Sequence, residues 1–372
     1  MPGSRRRSAS LRFMLILLAY GGIQFYVADK AIRMLGVSGW DGLPAVWAVA
    51  MLFAPFLLWR LESHSGFHRL AVVGAWLVYG WMGFSFLFFW IGLALSCYDW
   101  LVSLAGRDAW FAPSTFLVLS AATIAAWLYG FTAARRIRVE RVAITSDRLP
   151  KDFPGIRIAQ ISDLHLGIMA GKRRLDHVIR RVRQLDADML ISTGDLVDAQ
   201  AHFLDGLSAR FAALHPRYGK FAITGNHERY AGLEHALEFH AQCGFRLLRG
   251  EAVDVGGIVL AGVDDPAVSA STAEEEAKLL AGIPADRFVI LLKHQPNIAP
   301  GERFDLQLSG HTHKGQIFPF GLLVRLTYPV VAGLHVLAGG ARIYVSRGTG
   351  TWGPPIRILS PPEITLIELT RP

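Results

Sequence analysis

The chain has 372 residues, 52% of them hydrophobic, and a positive mean hydropathy; the length exceeds one domain's usual share, and so much apolar sequence excludes an ordinary soluble protein. The formal charge of +8 is unevenly placed: residues 1–141 carry 13 Lys and Arg against 6 Asp and Glu, a net of +7, whereas residues 142–372 carry 25 against 24, a net of +1. The C-terminal half thus lacks the basic excess of a domain that works on nucleic acid, so no nucleic-acid partner is expected, and two distant cysteines, Cys97 and Cys243, exclude a disulfide framework.

Four apolar stretches lie in the first part, at about 13–27, 43–59, 70–97 and 113–131. A spanning helix needs roughly 20 apolar residues; the third and fourth meet this, and the first two are shorter. Residues 1–141 therefore read as a membrane region with about four transmembrane helices, a buried soluble bundle being disfavoured because few charges remain to solvate its outside. With four spans, Arg5, Arg6, Arg7, Arg12, Arg60, Arg69, Arg135, Arg136, Arg138 and Arg141 share one side, and Lys30, Arg33 and Arg107 the other. That bias puts the N-terminus and residues 142–372 in the cytoplasm. Ser4-Arg5-Arg6-Arg7 ahead of an apolar run also has the look of a twin-arginine export signal, and three spans or a cleaved first one would reverse the side. The junction from Arg135 to Arg141 reads as a stop-transfer flank, or as a clamp on anionic headgroups.

Residues 142–372 alternate short apolar runs with polar turns. Residues 158–161 read as a strand running into Ser162-Asp163-Leu164-His165. In extended backbone residues i and i+2 face the same way, which would let Asp163 and His165 hold one ion. Residues 172–185 read as a helix, with Leu175, Val178, Ile179, Val182 and Leu185 at helical spacing. Strands follow at 189–192, into Gly194-Asp195-Leu196-Val197-Asp198, and at 221–224, into Gly225-Asn226-His227-Glu228; a helix follows at about 233–242. Residues 289–292 lead to His294, and 306–308 lead to Gly310-His311-Thr312-His313.

Taken singly, each block has a plain structural explanation: a surface turn for Asp-x-His or Gly-Asp, an Asn turn for Asn226, a core histidine for His294. Their repeated placement at strand ends points elsewhere, because α/β folds bind ligands there. Seven oxygen and nitrogen donors exceed what one divalent ion needs and suit two. Two adjacent ions clamp the attacking and leaving oxygens of an in-line displacement at phosphorus, so the pattern predicts a two-metal phosphoesterase.

The five blocks together resemble the calcineurin-like metallophosphoesterases, whose signature is D-x-H, G-D-x-x-D, G-N-H-[DE], a lone H, and G-H-x-H. The resemblance covers roughly 150–372. Gly310 to Gln316, Tyr344 to Gly350 and Pro362-Glu363-Ile364 make it most similar to the membrane-anchored bacterial branch, with Lys314 as a departure where a small residue is common. The resemblance implies an αββα sandwich with two packed mixed sheets after the helical membrane region, integral to the bacterial inner membrane. Asp163, His165 and His313 would hold one divalent transition-metal ion, and Asn226, His294 and His311 a second, with Asp195 bridging; Mn, Fe or Zn would serve. His227 would protonate the leaving oxygen, Asp198 would fix its tautomer, and a metal-bridging hydroxide would be the nucleophile. The family's substrates are phosphomonoesters, phosphodiesters and pyrophosphates.

A lipid-linked substrate is favoured by the anchor and by the apolar stretch 317–337, which begins four residues after His313. That stretch is broken by Pro319, Gly321, Pro329 and Gly333, so it reads either as core strand and loop or as an apolar lip meeting bilayer or acyl chain. The rival to an enzyme is a non-catalytic scaffold or binding module of the same fold. The presence of His227 and all seven ligand positions argues against it.

Overall fold

The computed structural model describes residues 2–35, 41–106, 115–198, 203–269, 273–298 and 303–372; Arg107 and Pro113 lie outside them. The chain divides into two compact units, Met1–Gly130 and Phe131–Pro372.

The first unit is helical: α1 (Pro2–Leu35), α2 (Leu43–Glu62), α3 (His68–Leu104) and most of α4 (Thr115–Arg135). All four contain apolar windows long enough to cross a membrane, Met14–Arg33 being the first. Most of their large apolar side chains face outward, as lipid-facing side chains would. A polar knot ties α1 to α3: the fully buried Gln24 amide donates to Ser85 Oγ (2.8 Å) and accepts from Trp81 Nε1 (2.8 Å). In an apolar surrounding such a side chain needs its partners, and it serves as interhelical glue.

The second unit contains two six-stranded sheets. One is ordered β1 (Arg138–Thr145), β12 (Glu363–Thr370), β2 (Ile156–Ile161), β3 (Met189–Ser192), β4 (Lys220–Ala222) and β5 (Arg246–Leu247). The other is ordered β10 (Gly333–Val336), β11 (Arg342–Val345), β9 (Leu306–Ser309), β8 (Val289–Leu292), β7 (Ile258–Gly262) and β6 (Glu251–Val255). Both are mixed. β2 to β5 are mutually parallel, with β12 antiparallel to β2; β7, β8, β9 and β11 are parallel, with β6 and β10 antiparallel at the edges. The helices are α5 (Lys172–Leu185), α6 (Ser208–Ala212), α7 (Asn226–Ala231), α8 (Leu233–Gln242), α9 (Ala273–Ala281) and α10 (Phe320–Val324).

Alternation along each strand builds the layers. Ile158, Met189, Ile191, Ile290, Leu292 and Leu308 fill the space between the sheets. Ala159, Ile161 and Leu190 face the other way, onto Leu175, Val178 and Val182 of α5. On the outer face of the second sheet Val289 and Leu291 pack with Leu280 of α9. The result is the expected αββα sandwich. Five fully or nearly buried apolar side chains on α5, at about 1.5–3 kcal/mol each, seat that helix. Its polar face stays outside.

Two elements differ from the sequence reading. Arg138 and Arg141, read as juxtamembrane charge, lie in β1, which pairs along its whole length with β12. The strand expected over 221–224 is shorter, and Asn226 opens helix α7.

Candidate metal centre

Parallel strands direct their carboxyl ends to the same edge of a sheet, and five of those ends carry the candidate residues. β2 runs into Asp163, β3 into Asp195, β4 into Asn226 and His227, β8 into His294, and β9 into His311. The chain does not leave these strands extended. Asp163, His165, Asp195, His311 and His313 all have positive φ, between 48° and 69°, a region that non-glycine residues rarely occupy. Asp163 and His165 therefore approach one point through two left-handed turns, not through the strand alternation the Asp-x-His spacing suggested.

Backbone bonds between neighbouring loops hold these turns. The amide of Asp163 donates to Gly194 O (3.0 Å), that of His165 to Asp195 O (3.0 Å) and that of Leu166 to Leu196 O (2.9 Å). Close approach also dictates two of the motif glycines. A Cβ on Gly225 would land on the Asp195 carboxylate, and one on Gly310 would land on Ser162 and Asp163.

Glu228, the last residue of its motif, carries a bracing role that its sequence position did not disclose. Its buried carboxylate accepts from the amides of Gly225 (2.6 Å), Asp195 (3.0 Å) and Leu196 (2.8 Å). It thereby ties the β3 loop to the β4 loop. The only hint was a glutamate at the third position of the helix that Gly225 opens, where its carboxylate can reach back to the Gly225 amide.

The structure brings the candidate residues together in overlapping groups, each within 4.8 Å by its donor atoms: Asp163, His165 and His313; Asp195, His294 and His311; and His165, Asp195 and His227. Shared members make them one connected site. Asn226 lies one residue before His227, with its Oδ1 buried and unpartnered. Asp198 lies between His227 and His165, its Oδ1 2.5 Å from His227 Nδ1 and its Oδ2 3.6 Å from His165 Nδ1.

These donors fit a divalent transition metal. His165 Nε2 faces His313 Nε2 at 3.0 Å, and His311 Nδ1 faces His294 Nε2 at 3.2 Å. His294 Nδ1 donates to Thr193 O (2.7 Å), so in the neutral ring Nε2 presents a lone pair to the site, the arrangement that orients a histidine ligand. His165 Nδ1 is a second buried atom with no hydrogen bond. Mixed imidazole and carboxylate donors suit Mn, Fe and Zn alike.

Buried charges compensate one another. Burial pushes the Asp195 carboxyl up, but His294 and His227 overcome it and hold it well below the usual carboxylate range. Burial pulls His294 down, yet Asp195 beside it carries it well above the usual histidine value. His227, pulled down by burial, is raised to about 9 by Asp195 and Asp198. His311 is pushed down to about 4 by burial and by His294.

A further residue escaped the sequence reading. Arg357 is fully buried and donates to the carbonyls of Arg347 (2.6 Å) and Gly350 (2.6 Å) and to His313 Nδ1 (3.1 Å). It fixes the His313 ring with Nε2 turned to Asp163 (3.3 Å). His313 would have to give up the proton on that edge to hold an ion there.

Residues 156–315 match the family model for calcineurin-like phosphoesterase. An uncharacterised metallophosphoesterase of Aquifex aeolicus is 41% identical over 240 residues, covering 63% of this chain and 92% of that protein. One from Campylobacter jejuni is 28% identical over 95% of this chain and 97% of its own length, so that match runs through the helical unit as well. A zebrafish (Danio rerio) protein named as a transmembrane protein with a metallophosphoesterase domain is 34% identical over 65% of this chain and 60% of its own. Identity at the Aquifex level, over nearly all of a protein bearing the family's name, means that this chain belongs to the calcineurin-like metallophosphoesterases and is a metal-dependent phosphoesterase.

Proposed function

We propose that this protein is a membrane-anchored phosphohydrolase with two divalent ions, cleaving a phosphoester or pyrophosphate of a lipid-linked substrate at the inner face of a bacterial cytoplasmic membrane. The observation that carries the two-ion reading is the pair of donor groups joined through Asp195 and His165. Asp163, His165 and His313 would hold one ion, Asn226, His294 and His311 the other, with the Asp195 carboxylate between them. Ions held there supply positive charge against the phosphoryl oxygens and make water acidic enough to serve as a nucleophile near neutral pH.

The chain's own residues do the rest. Asp198 accepts a hydrogen bond from Nδ1–H of His227 at 2.5 Å, which fixes the ring and lets Nε2 of the protonated imidazole hold the proton that the leaving oxygen needs. Asp195 accepts the His227 backbone amide at 2.8 Å, so the acid's position is tied to the metal-side carboxylate. Glu228 keeps the loops bearing Asp195 and His227 in register. The membrane reading rests on the four apolar helices and the arginine bias of their flanks, with a membrane region over about 1–141 and a catalytic domain over 142–372.

Asp195→Asn should lower bound metal, measured by elemental analysis after Mn or Fe supplementation, and remove most turnover of bis-p-nitrophenyl phosphate. Wild type that keeps full activity in chelator and carries no such ions would refute the metal reading. His227→Gln should cut turnover by about 10²–10⁴-fold, the usual worth of a general acid, while bound metal stays unchanged. The loss should shrink for substrates with good leaving groups, and loss of a metal instead would show that the residue is a ligand. Glu228→Ala strips the carboxylate from three amides, each bond to a charged group being worth about 1.5–3 kcal/mol; both melting temperature and turnover should fall, and an unchanged melting curve would deny the brace. On the cell, a C-terminal reporter that works only in the cytoplasm should be active, and external protease should spare residues 142–372. Activity of a periplasm-dependent reporter at the same place would reverse the orientation.

A further inference from the structure

We propose that the rim of the site mouth, built from Phe318, Phe320, Leu322, Leu326 and Trp352, docks on an anionic lipid bilayer and presents the site to phosphoesters at that surface. The inference rests on the reading above only in taking the bilayer to be the one the four helices cross.

The rim's position follows from hydrogen bonds. The Gln316 side chain donates to Trp352 O (2.9 Å) and accepts from Trp352 N (2.9 Å), and Phe318 N donates to Ile358 O (3.2 Å). The 316–318 and 352–358 loops are thus stitched side by side. Trp352 carries the rim to the chemistry, since its ring stands 5.8 Å from that of His227, edge to face. The exposed Tyr230 ring meets His227 at 5.2 Å.

Burial within the 317–337 stretch is selective. Ile317, Val330 and Val331 are buried, Val330 against Ile343 and Val345 of the second sheet. Phe318, Leu322 and Leu326 are left 51%, 57% and 83% exposed, and Trp352 is 55% exposed. Part of the stretch is therefore core, and Phe318, Leu322 and Leu326 are left outward as exposed apolar side chains, the kind that marks a contact surface.

Charge chooses the occupant. From Leu306 to Pro362 the sequence contains no Asp or Glu; of its cations Arg357 is buried, Arg347 is paired with Glu140 and Glu363, and Arg342 is bonded to Thr145 O, which leaves Lys314 and Arg325 as the charges beside the apolar side chains. Arg325 is exposed between Leu322 and Leu326. Apolar and aromatic side chains with basic residues and no acidic ones suit an anionic headgroup layer. A second copy of this face would bring like charge against like.

The test uses the full chain with Cys97→Ser, leaving only the buried Cys243, and an environment-sensitive fluorophore on Leu326→Cys or, as control, on Lys151→Cys. Each protein is reconstituted in vesicles of phosphatidylcholine alone or with phosphatidylglycerol. The Leu326 label should shift to the blue and be quenched by lipids bearing a nitroxide on the acyl chain, at least twofold more strongly with phosphatidylglycerol. The Lys151 label should do neither. Lys314→Glu with Arg325→Glu should abolish the phosphatidylglycerol dependence. Water-like emission at Leu326 in both vesicles would overturn the proposal; so would a blue shift without quenching, which would mean that protein covers the rim. Because the readout is fluorescence with or without metal, its failure is distinct from failure of the phosphohydrolase reading.

Discussion

The gathering of imidazoles and carboxylates at one end of two sheets depends on backbone that turns left-handed as soon as each strand ends. Asp163, His165, Asp195, His311 and His313 each hold a conformation that costs about 1–2 kcal/mol for a side-chain-bearing residue. Five of them together cost an amount comparable to the whole stability of an ordinary domain, about 5–15 kcal/mol. Such turns persist only where the surroundings over-determine them. Here the surroundings are the ladder that continues from β2 and β3 into their loops, the carboxylate of Glu228, and the two glycines that let backbone touch side chain. The sandwich core beneath them makes the strand ends immovable enough for the loops to be strained.

The same crowding sets the electrostatics. Asp163, His165, Asp195 and His294 are nearly inaccessible to water, where an isolated charge is untenable. Asp195 and His294 answer each other's charge, and His165 stays neutral under burial and the influence of His227. Cations bound among these donors would take over the neutralising role that protonated histidines play without them. The arrangement is better suited to metal than to protons, because the facing ring nitrogens at 3.0 and 3.2 Å would, once deprotonated, turn lone pairs toward a shared cation.

Much of this was legible in the sequence because the parallel strands are short, apolar and directly followed by polar residues. β3 and β8, and helices α5 and α8, fall at the residues their patterns indicated. What escaped was non-local. β1 has the sequence Arg-Val-Glu-Arg-Val-Ala-Ile-Thr, half polar because it lies at a sheet edge, and its partner β12 is more than two hundred residues away. Arg357 is buried among carbonyls contributed by turns that no periodicity describes. The Asp-x-His pair does come together, but not by strand alternation, which would have served only if the strand continued; the hydrogen bonds to the β3 loop end it. Glu228 lay within a recognised motif, yet its task is to hold backbone amides of a loop 32 residues earlier, which spacing along one chain cannot reveal.

The apolar rim illustrates how placement converts a liability into a constraint on function. Exposed Phe, Leu and Trp beside a polar cleft invite aggregation in a freely diffusing protein. In a chain with four helices long and apolar enough to cross a membrane, a bilayer is within reach at high effective concentration, since a tether turns a second contact into an intramolecular one. A rim that is apolar and basic then needs only modest intrinsic affinity to rest on anionic lipid. Its proximity to His227 through Trp352 gives that contact a direction: it would exclude bulk water from the His227 side of the donor cluster. On this view the helices supply the membrane and the rim supplies the orientation, and neither alone would bring a phosphoester at the lipid surface to the strand-end donors.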